Sequence, residues 1–338
     1  MSIEVREAGL FSTVQDLGRH GLQQFGIPVS GAMDAYSAAI ANRLVGNCPE
    51  AAVLEFTLIG PVLHFTMPAV IALAGCQAPL SVDGAPLAFW ESHAVAAGSI
   101  VSIGSAVRGC RGYIAVAGGI ATEPVMGSRS TFVRGALGGL EGRALKKGDV
   151  LAVGQADAAA VAGRYALRDQ QIALPEDGAA IRVMLGPQDD LFTQEALDTL
   201  ISAEYMITSE SDRMGYRMQG PKLQHVGKAD ILSDGIAPGS IQVPGHGLPI
   251  VMLADRQSIG GYAKIATVIG ADLPLLSQMR PGQSVRFVAV PRDEALAALS
   301  KLKALSERRL CEPRTRRNFS VRVGGEALSV DLQEILGG

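Results

Sequence analysis

The sequence is poor in aromatic residues, in charged residues and in cysteine, and each shortage excludes a class of protein. Only 5% of its 338 residues are aromatic and 19% are charged. A net charge of -3 gives no general attraction to nucleic acid or to an anionic membrane. The four cysteines and five histidines are scattered, without the paired spacing of a zinc site or a disulfide framework. We therefore expect no metal, free thiols and a cytoplasmic location.

Long unbroken hydrophobic segments are also lacking. The first ten residues carry charges where a signal peptide needs an apolar core. From Thr57 to Val82 there is no Asp, Glu, Lys or Arg, but Gly and Pro interrupt the segment repeatedly. A membrane-spanning helix needs about 20 consecutive apolar residues. We interpret this segment as two buried strands joined by turns, and we expect no membrane association.

Two common catalytic motifs are missing as well. There is no G-x-x-x-x-G-K-[ST] phosphate loop and no G-x-S-x-G nucleophile elbow. The Ser/Arg cluster Ser128 to Thr131 follows a Gly-rich segment, but its glycines do not match a dinucleotide-binding pattern. It either binds an anion or forms a polar turn at a strand end. The chain itself therefore offers no recognisable nucleotide site.

What the sequence does have is glycine and short apolar segments. Forty glycines separate Val- and Ile-rich segments typical of strands joined by tight turns. Such strands include AVIALAGC, GSIVSIG, RGYIAVAGG, DVLAVG, AIRVMLG, LPIVMLAD and SVRFVAV. Helical spacing is rare and predicts three helices, at Ala35 to Leu44, Thr193 to Ile201 and Arg292 to Leu310, the first with Asp34 as a candidate N-cap. The pattern predicts a mainly β fold with a barrel or sandwich in each half.

Short matching segments recur in the same order in both halves. Leu10-Phe11 matches Leu191-Phe192, and SGAM at Ser30 matches SDRM at Ser211 with the same separation. Three further matches are GPVLHF with GPKLQH, GSIVSI with GSIQVP, and LKKGDVLAV with MRPGQSVRFV. We interpret them as an internal duplication, although chance similarity between Gly-rich strings is the alternative. The predicted domains are residues 1–165 and 176–291, with a predicted linker between the two copies over Ala156 to Glu176. A helix, a basic linker and a C-terminal hairpin that turns at Gly324-Gly325 are predicted over 292–338.

Polar clusters on Gly-rich loops are the candidate functional residues. Each has a structural explanation too, because Asp, Ser and Gly are the residues that tight turns require. The candidates are Gln15, Asp16, Arg19, Ser30, Asp34, Ser211, Asp212, Arg213, Tyr216, Arg217, Gln242, Asp255, Arg256, Gly260, Gly261 and Tyr262.

The segment SDRMGYR is the strongest of these clusters. It occupies a duplicated position but carries more charge than its first-half counterpart. An Asp beside an Arg favours an ion pair that orients the guanidinium, and an oriented guanidinium can bind a carboxylate or phosphate through two hydrogen bonds. Gly215 allows a ligand to approach the backbone closely. We expect this segment to line a cleft between the two halves, near LADRQSIGGY.

Several long segments resemble a known family. They include TVQDLGRHG, GIPVSGAMD, LEFTLIGP, SDRMGYR and GSIQVPGHGLPIVMLADRQSIGGYAKIATVI. The chain resembles the biotin-dependent carboxyltransferase / allophanate hydrolase subunit 2 family from about Ile3 to Val290. The resemblance implies two tandem cyclophilin-like β-barrel domains. It also implies a KipA-like component of an ATP-dependent 5-oxoprolinase, a hydrolase of a cyclic amide that is active with two partner subunits, one KipI-like and one LamB/YcsF-like.

The resemblance leaves two alternatives open. One is a carboxyltransferase that moves a carboxyl group from carboxybiotin to urea or a related amide. This chain has no A-M-K-M segment, so biotin would arrive on another chain. The other is a KipA-like regulator that binds a KipI-like kinase inhibitor without catalysis. No G-G-S-S-G amidase signature is present, and the sequence assigns ATP to no particular member of the complex.

Under the hydrolase interpretation, the candidate residues take two roles. The developing oxyanion needs guanidinium or N–H donors, for which Arg213, Arg217 and Arg256 are candidates. Water must be positioned by a carboxylate, for which Asp16, Asp212 and Asp255 are candidates.

Overall fold

The chain is mainly β, with few helices, as the sequence predicts. The computed structural model describes residues 2–157, 160–312, 316–323 and 326–333. The helices are α1 (Ala35–Leu44), α2 (Gln194–Ser202), α3 (Leu273–Ser277) and α4 (Arg292–Glu307). Single turns of 3₁₀ helix occur at Gln23–Phe25, Val133–Gly135, Arg168–Gln170 and Asp189–Leu191.

Eleven strands of the first half form two sheets. They are β1 (Ser2–Glu7), β2 (Phe11–Gln15), β3 (Val53–Thr57), β4 (Val62–Phe65), β5 (Ala69–Gln77), β6 (Leu80–Val82), β7 (Ala85–Pro86), β8 (Ser92–Val95), β9 (Ile100–Ile103), β10 (Arg108–Val116) and β11 (Val150–Ala152). One sheet has the order β11-β1-β4-β9-β6-β7 and the other β2-β3-β10-β5-β8. Apolar side chains from both sheets share one core, which includes Ile3, Leu54, Phe65, Leu73 and Val101.

The second half closes into a barrel. Its strands are β12 (Ala179–Leu185), β13 (Glu204–Ile207), β14 (Gly215–Gln219), β15 (Asp230–Gly235), β16 (Ser240–Gln242), β17 (Ile250–Met252), β18 (Ile259–Tyr262), β19 (Lys264–Val268) and β20 (Ser284–Ala289). Seven of them follow the closed order β12-β19-β16-β17-β14-β13-β20, while β15 and β18 pair separately. All pairs in the barrel are antiparallel except β12 with β20, which are parallel. These two are the first and the last strands of this half in the sequence.

The three predicted helices are present, and the first two begin at residues whose side chains cap them. Asp34 accepts a hydrogen bond from the backbone N–H of Ser37, so it caps α1 as predicted. Thr193 caps α2 through Ala196 N–H. Helix α4 ends at Glu307, three residues before the predicted end. The short helix α3 was not predicted, because five residues cannot display helical periodicity.

The segment from Thr57 to Val82 contains buried strands, as predicted, but three of them (β4, β5 and β6) instead of two. The additional strand, β6, is only three residues long and follows Pro79 directly. None of the helices among the described residues has the length and apolar character needed to cross a membrane.

The segments matched between the halves agree in structure at some positions and differ at others. Gly98 and Gly239 both have positive φ and lie one or two residues before the start of a strand, as do Gly148 and Gly282. By contrast, Phe11 begins strand β2, while its counterpart Phe192 forms only an isolated β-bridge with His225. GPVLHF lies on β4, whereas GPKLQH is outside any strand. The duplicated pattern therefore marks turns that precede strands more consistently than it marks whole elements.

The predicted linker, Ala156 to Glu176, contains one 3₁₀ turn and no regular strand among its described residues. It is still part of the packed structure, because Tyr165 forms β-bridges with both Glu91 and Cys311. The C-terminal hairpin is present as β21 (Arg316–Val323) paired antiparallel with β22 (Glu326–Gln333). Its predicted turn at Gly324-Gly325 lies outside the described residues. The four cysteines are free thiols, as expected.

Candidate functional site at the contact between the halves

The side chain of Arg213 joins the two halves. From the loop before β14, its Nε and Nη2 donate to the two carboxylate oxygens of Asp255 at 3.0 and 3.1 Å. Its Nη1 donates to Glu55 on strand β3 of the first half, and Nη2 also donates to the carbonyl oxygen of Gly31 at 2.6 Å. Arg213, Asp255 and Glu55 are all buried. This buried ion triad is the centre of the contact between the halves.

The electrostatics of the triad keep Arg213 charged. Burial by itself lowers the pKa of Arg213, but the charges of Asp255 and Glu55 outweigh burial and raise the pKa above its usual value. Two carboxylates face one guanidinium, and Glu55 is also held by hydrogen bonds from Met33 N–H and Tyr113 Oη at 2.8 and 2.9 Å. Neither carboxylate is therefore left without a donor.

The prediction that SDRMGYR lies close to LADRQSIGGY is supported by direct contacts, but the guanidinium is not open. In addition to the Arg213–Asp255 pair, the backbone N–H of Asp255 donates to the carbonyl of Arg213 at 2.9 Å. Asp255 occupies the fork that was expected to bind a ligand carboxylate. The physical reason is that burying Arg213 without a counter-charge would be costly, and the fold supplies that charge through Asp255.

A second buried arginine, Arg111, completes this contact. It extends from strand β10, and its Nη1 donates to Tyr216 Oη and to the carbonyl of Ser277, each at 2.5 Å. Its Nε has no partner among the described residues. Burial raises the pKa of Tyr216 to about 12, with Arg111 opposing the shift, so the phenol stays protonated. Gln278 then fixes the backbone of β10 by accepting from Cys110 N–H and Arg111 N–H at 3.0 Å.

A cavity of about 310 Å³ opens beside these groups. Its walls combine the charged residues Arg111, Arg213 and Asp255 with Asp212 and, from the first half, apolar residues such as Phe132. Asp212 is exposed, and its carboxylate accepts from Met214 N–H at 2.7 Å, which forms the turn before β14. The size and lining are those of a site for a small polar ligand.

The other residues of SDRMGYR stabilise the loop. Ser211 Oγ accepts from the backbone N–H of Arg217 at 3.0 Å. Arg217 is exposed, and its Nε lies 3.9 Å from Glu210. The structure therefore separates the two arginines of this segment: Arg213 points into the contact between the halves, and Arg217 lies at the surface.

The first-half candidates form a second group around the loop 128–130. Asp16 accepts from Gly18 N–H at 2.8 Å, from Ser128 Oγ at 2.6 Å, from Arg129 N–H at 2.5 Å and from Ser130 Oγ. Burial raises the pKa of Asp16, but these hydrogen bonds outweigh burial and lower the net pKa. The cluster Ser128 to Thr131 is thus bound to a protein carboxylate, which matches its interpretation as a polar turn.

Arg19 is the most unusual member of this group. It is 1% exposed, and its Nη2 donates to the carbonyl of Ser130 at 2.5 Å. Its Nε and Nη1 have no partner among the described residues. Burial lowers the pKa of Arg19, while the charges of Asp16 and Asp255 oppose that shift. Gln15, also buried, uses its amide N–H on Thr13 and Thr131, and its Oε1 is unpartnered within the same described part.

The remaining candidates are dispersed. Asp34 is the buried N-cap of α1, and burial raises its pKa to about 6, with Ser37 and Gln278 opposing the shift and Glu55 adding to it. Gln242 is buried and donates to the carbonyl of Tyr262 at 3.4 Å. Gly260, Gly261 and Tyr262 lie on β18, where Tyr262 is 42% exposed. Ser30 and Arg256 face a different cavity and are not in the 310 Å³ cavity.

Sequence reasoning missed Glu55, Arg111 and Gln278. Glu55 had a visible signal, because it is the only charged residue in the strand VLEFT, and a charge within a buried strand must have a partner. Arg111 and Gln278 had no such signal in the sequence, since the residues that they contact lie far away along the chain. No group of His, Cys, Asp and Glu suited to a metal ion occurs in the described ranges.

Comparisons with known proteins agree with this architecture. The family described as "Carboxyltransferase domain, subdomain A and B" matches residues 25–289. The chain is 40% identical to the 5-oxoprolinase C subunit of Escherichia coli over 298 residues, which cover 88% of this chain and 94% of that protein. It is 37% identical to the 5-oxoprolinase C subunit of Haemophilus influenzae, over 87% of this chain and 93% of that protein.

A solved structure is similar over nearly the same range. The urea amidolyase of K. lactis superimposes with a TM-score of 0.86 and 32% identity, over 90% of this chain. The chain spans only 20% of that much longer protein. The match over residues 25–289 and the relatives of similar length together establish the family. This chain belongs to the carboxyltransferase domain family, with its subdomains A and B.

Proposed function

We propose that this chain is the C subunit of an ATP-dependent 5-oxoprolinase, which hydrolyses 5-oxo-L-proline to L-glutamate. The observation that carries the proposal is the 40% identity to the Escherichia coli protein of that name, which extends over 94% of that protein. Relatives named as subunits imply further subunits, and we propose that the two partners are a KipI-like protein and a LamB/YcsF-like protein. The proposed location of the complex is the cytoplasm.

The chemistry explains why ATP would be required. A cyclic amide is a weak electrophile, and transfer of the γ-phosphoryl group of ATP to the amide oxygen would activate its carbon and release ADP. Water would then add to this carbon, and the ring C–N bond would break as the nitrogen takes a proton. Hydrolysis of the resulting carboxyl phosphate would give glutamate and inorganic phosphate. Such steps need fixed donors at the developing oxyanion and a carboxylate that positions water.

The 310 Å³ cavity is the proposed substrate site on this chain. Arg111 lines this cavity and places a positive charge beside it, and its buried Nε has no partner in the described residues. Asp212 supplies an exposed carboxylate in the same wall. Asp255 is held in place by Arg213, so Arg213 acts as a positioning residue in this proposal. Asp16 and Arg19 do not line this cavity, but the charge of Asp255 acts on Arg19, and we propose that the two residues support this side of the site.

Reconstitution tests the proposal. The chain is purified alone and with the two proposed partners, and ATP hydrolysis dependent on 5-oxoproline is measured. We expect no turnover by the chain alone and turnover by the complex. Turnover by the isolated chain, or an inactive complete complex, would contradict the proposal.

A variant pair then tests the site within the complex. Asp212→Asn should lower the rate of 5-oxoproline-dependent ATP hydrolysis at least tenfold, because the carboxylate no longer orients water. Asp190→Asn, an exposed carboxylate beside α2, is the control and should leave the rate unchanged. Equal rates for the two variants would remove Asp212 from the proposed mechanism.

A second function has one specific observation in its favour. The TM-score of 0.86 to the urea amidolyase of K. lactis is compatible with carboxyl transfer from carboxybiotin to urea or a related amide. Biotin would then be carried on another chain. Urea-dependent ATP hydrolysis in the presence of a biotin carboxylase and its carrier distinguishes this function from 5-oxoproline hydrolysis.

A further inference from the structure

A cavity of about 620 Å³ lies on another side of the contact between the halves. Helices α1, α3 and α4 and the loop that contains Arg256 form much of its wall. This volume falls within the range of about 300–1,000 Å³ that is typical of small-molecule sites. It does not share a lining residue with the 310 Å³ cavity.

Arg256 in the wall of this cavity is a buried cation that has no acidic partner among the residues that the structure describes. It is 6% exposed, and its Nε and Nη1 donate to the carbonyl oxygens of Ile236 and Leu253 at 2.8 and 3.2 Å. No carboxylate within the described ranges forms an ion pair with it, in contrast to Arg213. Burial lowers the pKa of Arg256 to about 10, so it is still protonated at neutral pH. A buried charge of this kind is costly unless an anion accompanies it.

Ser30 provides a second unsatisfied polar group in the same wall. Its Oγ is buried and has no hydrogen-bond partner among the described residues. Its backbone has φ of 56°, in the left-handed region that serine rarely adopts. The N–H of Ser30 donates to the carbonyl of Ala254 at 3.1 Å, which holds Ser30 next to the loop that carries Arg256. Strain of this kind often marks a functional position.

The rest of the lining is mostly apolar. Met33, Leu253, Leu273, Leu299 and Leu302 face the cavity, and Leu299 and Leu302 belong to α4. Helix α4 lies beyond residues 25–289, the part of the chain that the family match covers. Part of the cavity wall is therefore supplied by a segment outside the matched carboxyltransferase domain.

We propose that this cavity binds an organic monocarboxylate with an apolar body, whose carboxylate contacts Arg256 and Ser30. The apolar body packs against the leucines of α4. Arg256 and the Ser30 hydroxyl match the head group of a carboxylate, and Lys303 and His20 also line the cavity. The otherwise largely apolar lining favours an organic anion over inorganic phosphate. This site is independent of the proposed reaction, because it needs neither ATP nor a partner protein.

Calorimetry on the full chain tests the proposal, with octanoate as the probe and octan-1-ol as the uncharged control. Octanoate should bind measurably and octan-1-ol at least tenfold more weakly, because only octanoate compensates Arg256. Arg256→Gln should weaken octanoate binding about ten- to a hundredfold, the effect of losing one charge-assisted hydrogen bond. Arg286→Gln, a control on the exposed face of β20, should bind octanoate like the wild type.

A second variant keeps the test decisive if Arg256→Gln does not fold. Leu302→Trp fills the cavity from α4 without altering Arg256, and it should weaken octanoate binding while thermal melting shows a folded protein. The proposal is overturned if the wild type does not bind octanoate, if octan-1-ol binds equally well, or if both cavity variants bind octanoate like the wild type.

Discussion

The guanidinium of Arg213 in the second half donates to the carboxylate of Glu55 in the first half, and both side chains are buried. The two residues are far apart in the sequence, and Asp255 completes the triad. Because this buried guanidinium lies between two carboxylates, the stability of the contact between the halves depends on all three charges.

Substitution of Arg213 should destabilise the fold, not only impair a site. Arg213→Ala would leave Asp255 and Glu55 buried without their counter-charge, so we expect the free energy of unfolding to fall by about 3–5 kcal/mol. Arg217→Ala is the matched control, because Arg217 is exposed, and it should change stability by less than about 0.5 kcal/mol. Chemical denaturation of the three proteins measures both effects. A folded Arg213→Ala protein of wild-type stability would show that Arg213 is held for ligand binding, as the sequence suggested.

Substitution of Arg19, unlike that of Arg213, should not destabilise the fold. It is buried with two unpartnered nitrogens among the described residues, so a neutral side chain of similar length relieves an electrostatic cost. We expect Arg19→Met to keep or raise the melting temperature and to lower the activity of the reconstituted complex at least tenfold. A melting temperature lower by many degrees, with normal turnover, would assign Arg19 a structural role.

The raised pKa of Asp34 should make the free energy of unfolding depend on pH. Its pKa is raised by burial to about 6 in the folded protein, from 3.8 in the unfolded chain. The folded state therefore binds the proton more tightly, and this stabilisation is present below pH 3.8 and is lost as the pH rises through about 6. Between pH 4.5 and 7 the loss should reach about 2 kcal/mol.

Asp34→Asn isolates this effect, because the amide does not titrate and its oxygen can still cap α1. The wild type should lose about 2 kcal/mol more stability than the variant between pH 4.5 and 7 in urea denaturation. Parallel pH profiles for the two proteins would mean that Asp34 stays ionised throughout this range.

Gly31 should tolerate no side chain. Its φ is +87°, and an added Cβ would lie 2.9 Å from the backbone of Leu17 and Gly18. Gly84, with φ of +84° and open space around the same position, is the matched control. Both Gly→Ala changes incur the cost of a positive φ, about 1 kcal/mol. We expect Gly31→Ala to lower the melting temperature clearly more, since it also displaces the carbonyl that receives Arg213.

The sequence by itself determined the elements whose causes are local. Alternating Val and Ile between glycines predicted the strands, and helical spacing predicted α1 and α2, the first with Asp34 as its N-cap. These signals are readable because a cap, a turn glycine or a periodic face acts within a few residues. Membership of the family was also visible, because its motifs are long and contiguous.

Only the tertiary structure decided how the charged residues are used. SDRMGYR indicated a cluster, but the position of Glu55 and Asp255 around Arg213 depends on strands from both halves. Arg213, Arg217 and Arg256 look alike in sequence, yet one is paired, one is exposed and one is buried without an acid among the described residues. The physical reason is that burial and counter-charge are properties of long-range packing, and they set the energy of an arginine far more strongly than its neighbours in the chain.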